Sequence, residues 1–224
     1  MDTWRGFYSI NQVSRLAGIP KRTLYLWKKQ GVLSPSIRIV DAKGNVEEGY
    51  SYADLAIIKV LSALKGRRLN LRSAVAAFRH LYARFGAPDG QGWNTAHVYI
   101  MGKEVFASKP DNWETTSATK RGQKAEMRVL GELTEEEGAL LVPRQFTDYI
   151  EINPDVMDGE PVLRDTRVPT SMIATLYSEG MSIFEIAELY APISTKAIEY
   201  GIAFEKNIEE TYSKFTTKTR TSVN

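Results

Sequence analysis

A short stretch near the N-terminus concentrates side chains that can contact nucleic acid. It reads KRTLYLWKK from Lys21 to Lys29, and a helix that points Leu24 and Trp27 inward leaves its polar side chains exposed. Lysine and arginine neutralise backbone phosphates, and arginine and threonine can also reach base edges in a groove. The candidate DNA-binding residues of this stretch are Lys21, Arg22, Thr23, Tyr25, Lys28 and Lys29.

The neighbouring residues predict the helix that carries this stretch and a second helix that supports it. Ser9 and Gln12 have the spacing of a capping box. The apolar residues that follow at helical spacing are Ile10, Val13, Leu16 and Ala17. Gly18 allows a tight turn, Pro20 suits the start of a helix and Gly31 suits its end. This pattern predicts a helix-turn-helix, although an ordinary helical hairpin with solvated charges remains an alternative.

The charge of the chain is strongly asymmetric, although its net value is only +2. Residues 1–86 hold 15 Lys and Arg against 5 Asp and Glu, a net charge of +10. Residues 148–210 hold 4 against 13, a net charge of −9. A basic module suits a phosphate backbone, whereas an acidic module is repelled by it and is expected to face protein. The asymmetry favours the DNA-binding interpretation over the plain hairpin.

A hairpin and two further helices are predicted after the basic stretch. Residues 37–40 and 45–48 predict two strands of a wing, on which Arg38 and Lys43 are candidate phosphate contacts. Ser51 is placed to cap a helix that reaches about residue 65, and Asn70 to cap the next one. The predicted inner face of the first of these helices is Leu55, Ile58, Leu61 and Leu64.

Residues 8–85 resemble the winged helix-turn-helix of MerR-type regulators. The matching positions are Ile10, Gly18, Thr23-Leu24, Trp27, Gly31-Val32-Leu33, Gly49 with Tyr52, and Gly66 with Leu69. The resemblance implies duplex DNA as a partner and transcription regulation as the function. Tyr25 stands where the family often has an arginine that contacts the DNA backbone. The long C-terminal dimerisation helix and the effector-binding cysteines of the family are not apparent.

The rest of the chain predicts a small β-rich insert and a helical C-terminal module. Residues 97–100 and 105–107 predict a hairpin, and residues 127–133 and 139–142 predict further short strands. Ser182 with Glu185 has capping-box spacing, and Ser194 can cap a last helix. We expect a mainly α protein with small β elements (α+β). The predicted units are a winged helix-turn-helix domain (1–86), a linker with a β-rich insert (87–147), a helical domain that again resembles a helix-turn-helix (148–212) and a flexible basic tail (213–224).

The C-terminal module resembles a small antitoxin-like family of unknown function, built on a Gly-Thr-Arg-Ile-Pro-Val series and similar to VapB-type antitoxins. The matching residues are Asn153-Pro154, Gly159, Pro161, Thr166-Arg167-Val168-Pro169, Gly180-Met181-Ser182 and Glu185-Ile186. The resemblance implies a PIN-like ribonuclease toxin as partner. Arg164 and Arg167 are candidate partner-binding residues, or alternatively cross-link the local backbone. Asp165 replaces a glycine of the series, so a positive φ is not expected there.

Several classes of function are disfavoured by composition. The chain has no cysteine and only two histidines, His80 and His97, which fall in different predicted modules. We expect no catalytic site, no cofactor, no metal and no membrane segment, and a cytoplasmic location. Two functions remain. One is the antitoxin of a type II toxin-antitoxin module, a homodimer that binds its operator, represses its own operon and neutralises the toxin. The other is a free-standing MerR-like regulator whose C-terminal domain binds an effector or mediates oligomerisation.

Overall fold

The computed structural model describes residues 6–63, 69–85, 97–101, 104–108, 125–129 and 140–220. Its helices are α1 (Ile10–Ala17), α2 (Lys21–Lys29), α3 (Tyr52–Ala63), α4 (Leu71–Phe85), α5 (Thr170–Ser178), α6 (Ile183–Leu189) and α7 (Thr195–Arg220). Its strands are β1 (Ile37–Val40), β2 (Val46–Gly49), β3 (His97–Met101), β4 (Glu104–Ser108), β5 (Ala125–Val129), β6 (Ile150–Ile152) and β7 (Pro161–Leu163). This is the predicted α+β class with an N-terminal helix-turn-helix.

The caps that the sequence predicts define the helix ends. In α1 the Gln12 backbone N–H donates to Ser9 Oγ, while the Ser9 N–H donates to the Gln12 side chain over 2.8 Å, so that the capping box is complete. Gly18 follows with a φ of 65° and turns the chain into α2. The buried Ser14 hydroxyl donates to the Ile19 carbonyl over 2.6 Å, which ties the turn to α1.

Helix α3 lies at the centre of the N-terminal half. The predicted inner face is buried at Leu55, Ile58 and Leu61, while Leu64 falls outside the described residues. Burial extends further, however, because α3 packs against α1 on one side and α4 on another. The additional buried residues are Tyr52, Ala53, Asp54, Ala56, Ile57, Val60 and Ser62. A helix that is apolar on most sides is typical of a core position.

All strand pairs among the described residues are antiparallel. The wing pairs β1 with β2, the insert forms a sheet in the order β4-β3-β5, and β6 pairs with β7. The insert sheet confirms the predicted hairpin and the first part of the strand predicted at residues 127–133, since residues 130–133 lie outside the described residues. Residues 140–142 are not a strand, so that part of the prediction was wrong; the chain turns there into a one-turn 3-10 helix at Arg144–Phe146.

The C-terminal half packs α5, α6 and the β6–β7 hairpin around α7. Phe204 is fully buried and meets Phe146 edge to face, with ring centroids 5.5 Å apart. The other buried positions on the same side of α7 are Ile198, Gly201 and Ile208. Helix α7 is longer than the sequence suggested, since it continues through most of the residues expected to form a basic tail. No helix in the described part of the chain is long and apolar enough to cross a membrane.

Asp165 corrects one of our expectations. Its φ is 60°, in the left-handed region, although it replaces a glycine of the resembled family. Aspartate tolerates this conformation better than most residues. The turn around it is closed by hydrogen bonds: the Thr166 hydroxyl donates to the Leu163 carbonyl over 2.7 Å, and the Val168 N–H donates to that hydroxyl over 3.0 Å. These bonds compensate for the strain that a side chain introduces at this position.

The two halves of the chain share one hydrophobic core. Arg15 of α1 forms an ion pair with Glu205 of α7, whose other oxygen accepts a hydrogen bond from the Thr170 hydroxyl over 2.5 Å. Tyr8, which lies before α1, donates to the carbonyl of Gly159 in the C-terminal half. The domain boundaries proposed from the sequence stay a prediction, and these contacts join the units on either side of them.

Candidate nucleic-acid interface

Helix α2 exposes the side chains that the sequence singles out. Leu24 and Trp27 are buried against the core, and Lys21, Arg22, Tyr25, Lys28 and Lys29 are exposed. Thr23 is half-buried in the first turn, where its N–H donates to the Pro20 carbonyl over 2.8 Å. Tyr25 leaves 60% of its surface in solvent, which is unusual for an aromatic side chain without a partner. The exposed face of α2 therefore presents four cations and one aromatic ring.

The C-terminal end of α2 is held by a residue that sequence reasoning missed. Gly31 adopts a φ of 63° directly after the helix, as predicted. Arg72, at the start of α4, donates from Nη2 to the Gln30 carbonyl over 2.5 Å. A cation at the end of a helix also interacts favourably with its dipole. Gln30 and Arg72 are 42 positions apart in the sequence, so there is no local signal for this contact.

The wing is shaped by an aspartate at its tip. The Asp41 carboxylate accepts hydrogen bonds from the backbone N–H groups of Lys43 and Asn45, each over 2.8 Å, and from the Asn45 amide over 2.7 Å. These bonds, the Asn45 side chain first, hold the pKa of Asp41 below its ordinary value. Gly44 takes the positive φ of 82° that the turn requires. The backbone of Lys43 is thereby fixed, while its side chain is exposed.

A groove of about 520 Å³ lies between α2 and the wing. It brings together three of the predicted residues, Tyr25, Lys28 and Arg38. Its other lining residues are Ile10, Pro35, Val46, Glu47, Glu48 and Tyr50. Lys21, Arg22, Thr23, Lys29 and Lys43 do not line it. Burial raises the pKa of the Tyr50 hydroxyl to about 12, so this group stays protonated at neutral pH.

Two carboxylates on the wing are the main feature that the sequence reading did not assign. The Lys28 ammonium forms an ion pair with Glu48, which lies opposite Arg38 in the β1–β2 register. Glu48 therefore stands between two cations proposed to contact DNA. Glu47, its neighbour, lies opposite Ile39 and also lines the groove. Carboxylates repel phosphates, so their presence here limits how much of the cationic charge is available to the DNA backbone.

The wing is fastened to the core by a buried aspartate. Asp54, in the first turn of α3, accepts hydrogen bonds from the Ser36 hydroxyl at the base of the wing and from the Ser51 N–H over 3.1 Å. Its second oxygen lies 3.5 Å from Arg79 Nη2 of α4. One carboxylate thus connects the wing, α3 and α4. This connection fixes the wing relative to the helices that carry α2.

The two candidate partner-binding arginines, Arg164 and Arg167, differ in their contacts. Arg164 donates to the backbone carbonyls of Thr147 over 2.6 Å and Ile150 over 3.3 Å, the structural cross-link that the sequence left open as an alternative. Arg167 is exposed two residues beyond the Asp165 turn. No cluster of three or more acidic or imidazole side chains able to hold a metal occurs in the described ranges.

Comparisons with known proteins match two separate parts of the chain. Residues 8–81 match the model of the MerR HTH family of regulatory proteins. Residues 150–204 match the model of a family described as proteins of unknown function, DUF433. No curated protein matches the chain. Among solved structures, the chain is similar to the X-ray crystal structure of Rv2018 from Mycobacterium tuberculosis, with 12% identity, a TM-score of 0.50, and coverage of 87% of this chain and 96% of that chain.

These matches identify two domains and the general function of the protein. Residues 8–81 are a MerR-family helix-turn-helix domain, and residues 150–204 are a DUF433 domain. The protein is a DNA-binding transcription regulator. The likeness to Rv2018, at 12% identity, concerns the fold alone. The resemblance of the C-terminal module to VapB-type antitoxins stays a prediction.

Proposed function

We propose that this regulator is the antitoxin of a type II toxin-antitoxin module, which neutralises a PIN-like ribonuclease and represses its own operon. The observation that carries the proposal is the joining of two oppositely charged units in one core. Residues 1–86 have a net charge of +10 and present α2 and the wing, whereas residues 148–210 have a net charge of −9. A protein that binds a polyanion with one half and a cationic protein with the other needs this division.

The DNA-binding half of the proposal follows from exposed charge. Lys21, Arg22 and Lys29 on α2 are exposed and can approach phosphates, while Tyr25 and Arg38 both line the groove beside the wing. We propose that α2 enters the major groove and that Lys43 at the wing tip reaches the flanking backbone. A single winged helix-turn-helix contacts few base pairs, so we also propose that a homodimer binds a two-fold operator.

The toxin-binding half of the proposal rests on residue chemistry. A nuclease surface that handles RNA tends to be basic, and the acidic C-terminal half complements such a surface. The motif residues between Asn153 and Ile186 support the same partner, because they resemble those of VapB-type antitoxins. Covering the active-site cleft is sufficient for neutralisation and requires no catalytic group from this chain.

Growth and reporter assays test the proposal. Each gene that adjoins the one for this chain is expressed in the native host, alone and with the full-length chain. We expect one neighbour to encode a small nuclease that arrests growth, and the full-length chain to restore growth. A reporter fused to the promoter of the operon should be repressed by the chain alone and respond to the ratio of the two proteins.

If the protein is a free-standing regulator, the growth assay should give the opposite result. If no neighbouring gene arrests growth, or if the arrest persists with the chain present, the antitoxin role is wrong. The reporter then distinguishes the remaining cases, since a free-standing regulator still represses its promoter. A variant with Arg22→Ala and Lys29→Ala is the matched control, because it is expected to lose repression and to keep neutralisation.

A further inference from the structure

The exposed large apolar side chains in the described part of the chain fall into two groups. The first group belongs to α2 and the wing and consists of Tyr25, Leu26, Ile39, Val40 and Val46, which the DNA-binding function accounts for. The second group belongs to the C-terminal half and consists of Met157, Met172, Tyr177, Phe184 and Leu189. DNA binding does not explain this second group. Phe184 is the extreme case, with 74% of its surface in solvent.

Four of these residues lie on two adjoining helices. Ile173 of α5 and Ile186 of α6 are fully buried apolar positions. Phe184 is displaced from Ile186 by two residues, which places it on the opposite side of α6, together with Glu188. Glu185 and Leu189, which lie four residues apart, share a neighbouring exposed side of the helix. We name the exposed side chains of Met172, Tyr177, Phe184, Glu185, Glu188 and Leu189 the α5–α6 face.

The α5–α6 face is held in shape by its own contacts. The Tyr190 hydroxyl lies 2.8 Å from Met172 Sδ, so the end of α6 is close to the start of α5. Tyr177 and Phe184 flank the turn that connects the two helices, which is closed by the capping box of Ser182 and Glu185. Next to Met172 lies an open groove of about 360 Å³, lined by Glu160, Pro169, Ser171, Met172, Thr175 and Leu176. The face is therefore preformed.

The charge around the face selects the class of occupant. From Thr170 to Thr195 the sequence contains three glutamates and no lysine or arginine. A nucleic acid is repelled by such a surface. A second copy of the same face brings glutamates against glutamates and is disfavoured for the same reason. A protein with cationic side chains around an apolar hollow is complementary in both charge and polarity.

We propose that the α5–α6 face is the docking surface for a basic protein partner, with Phe184 as its central anchor. The proposal rests on the proposed function, since it identifies the surface through which the nuclease is bound. The α5–α6 face takes the partner-binding role that the sequence assigned to Arg164, because the Arg164 guanidinium already donates to the Thr147 and Ile150 carbonyls. Leu189 and Met172 extend the apolar contact, and Glu185 and Glu188 pair with cations at its rim.

Photo-crosslinking identifies the occupant. The full-length chain is expressed in its native host with p-benzoylphenylalanine in place of Phe184, or in place of the exposed Lys206 of α7 as a control. We expect a protein with a basic surface, identified by mass spectrometry, to be captured at position 184 and not at position 206. Adducts formed only with a second copy of this chain, only with nucleic acid, or with nothing overturn the proposal.

Titration calorimetry with the captured protein, once purified, tests the roles of individual side chains. Phe184→Ala in the full-length chain is expected to weaken binding by on the order of 30-fold, as for a buried interface anchor. The double variant Glu185→Gln and Glu188→Gln is expected to slow association and flatten its salt dependence; glutamine at position 185 preserves the capping box. Arg167→Ala is the comparison for a contact outside the face. Because Phe184 is exposed, its variant should retain operator binding, which reports on folding.

The outcomes separate this proposal from the proposed function. If the captured protein is a nuclease that the chain silences, and Phe184→Ala has no effect while Arg167→Ala does, the antitoxin role holds and the docking surface is wrong. If Phe184→Ala weakens binding of a captured protein that is not a nuclease, the docking surface holds and the antitoxin role is wrong.

Discussion

The phenolic hydroxyl of Tyr8 donates a 2.8 Å hydrogen bond to the backbone carbonyl of Gly159, 151 residues further along the chain. Tyr8 also pairs through its backbone with Tyr50, the residue that follows the last wing strand. One side chain therefore connects the C-terminal half to the base of the wing. Burial, with smaller contributions from nearby Tyr82, Asp158 and Glu160, raises the pKa of Tyr8 well above its ordinary value, so the donor keeps its proton at neutral pH.

Tyr8→Phe tests how much this hydrogen bond stabilises the fold. The substitution keeps the ring, which is almost fully buried, and leaves the Gly159 carbonyl without its donor. We expect the free energy of unfolding to fall by about 1–3 kcal/mol, the cost of an unsatisfied buried polar group. Urea unfolding followed by circular dichroism measures it. Tyr177→Phe, at an exposed position, is the control and should change stability by less than about 0.5 kcal/mol.

Gly159→Ala tests the same contact from the other side. Gly159 has a φ of 86°, and a Cβ atom there would lie 1.8 Å from Tyr8 Oη. Gly180 has a φ of 102° with no neighbouring atom within 4 Å of the same point. Both alanines introduce backbone strain of about 1–2 kcal/mol, and only that at position 159 adds a steric clash. We expect Gly159→Ala to lower the melting temperature clearly more than Gly180→Ala; equal losses would contradict the contact.

Much of the local structure could be predicted because its causes lie close together in the sequence. Ser9 with Gln12 and Ser182 with Glu185 both form the capping boxes that their spacing predicts. Gly18 and Gly31 end helices with a positive φ. The inward positions of α2 follow from the helical period. In each case the residue and its partner are separated by a few positions, so propensity and spacing are sufficient.

The structural features that the sequence did not predict depend on contacts between residues far apart in the chain. Sequence reasoning assigned one inner face to α3, yet the helix is buried on nearly all sides; Ala53, Ala56 and Ile57 outside that face were the available signal. The ion pairs of Arg15 with Glu205 and Lys28 with Glu48 join residues 190 and 20 positions apart. Charge counting assigned Arg15 and Glu205 to opposite units, and only the packing of α1 against α7 brings them together, whereas Lys28 and Glu48 belong to the same unit and are joined by the packing of α2 beside the wing.

Lys59→Met tests a half-buried cation of α3. The Lys59 ammonium donates to the Leu16 carbonyl over 3.2 Å, and burial lowers its pKa from 10.5 to about 8. The unfolded chain binds this proton more tightly than the folded protein does. Stability therefore rises with pH from about 8 towards 10.5, and below pH 8 the charged ammonium lowers the free energy of unfolding by its full amount. We expect Lys59→Met to be more stable at pH 7, by on the order of 1–3 kcal/mol.

The pH dependence provides the check on this interpretation. Urea unfolding of the wild type between pH 7.5 and 9.5 should show stability that rises with pH, and the Lys59→Met variant should show a flatter profile. The window stops below pH 10 because the raised pKa values of Tyr8 and Tyr50 act in the opposite direction once tyrosines of the unfolded chain ionise. Identical profiles would rule out Lys59 as the titrating group.

Lys29→Ala tests the phosphate-binding role of α2. Lys29 is exposed and lies outside the groove beside the wing. Loss of one phosphate contact should weaken binding to all duplex sequences and reduce the slope of log K against log salt by about 0.9. Fluorescence anisotropy at several salt concentrations measures both. Lys206→Ala changes the net charge equally on α7 and should leave the slope unaltered.

Glu48→Gln tests whether the wing restrains the recognition helix. Glu48 pairs with Lys28 and lies opposite Arg38, so its carboxylate neutralises cations that the DNA backbone would otherwise attract. With the charge removed, both cations become available to phosphates. We expect affinity for random duplex DNA to rise several-fold at low salt and the salt slope to steepen, while preference for a site selected from random duplexes falls.

The matched control for this variant is Glu47→Gln. It removes the same charge from the same strand, but Glu47 lies opposite Ile39 and leaves the Lys28–Glu48 pair intact. General repulsion of the phosphate backbone should make both variants gain affinity for random DNA equally. Release of Lys28 should make the gain in affinity larger for Glu48→Gln than for Glu47→Gln. The part of the gain that comes from Lys28 should disappear when Lys28→Ala is added. The double variant therefore decides between the two causes, because Arg38 alone remains for the carboxylate at position 48 to restrain once the ammonium is gone.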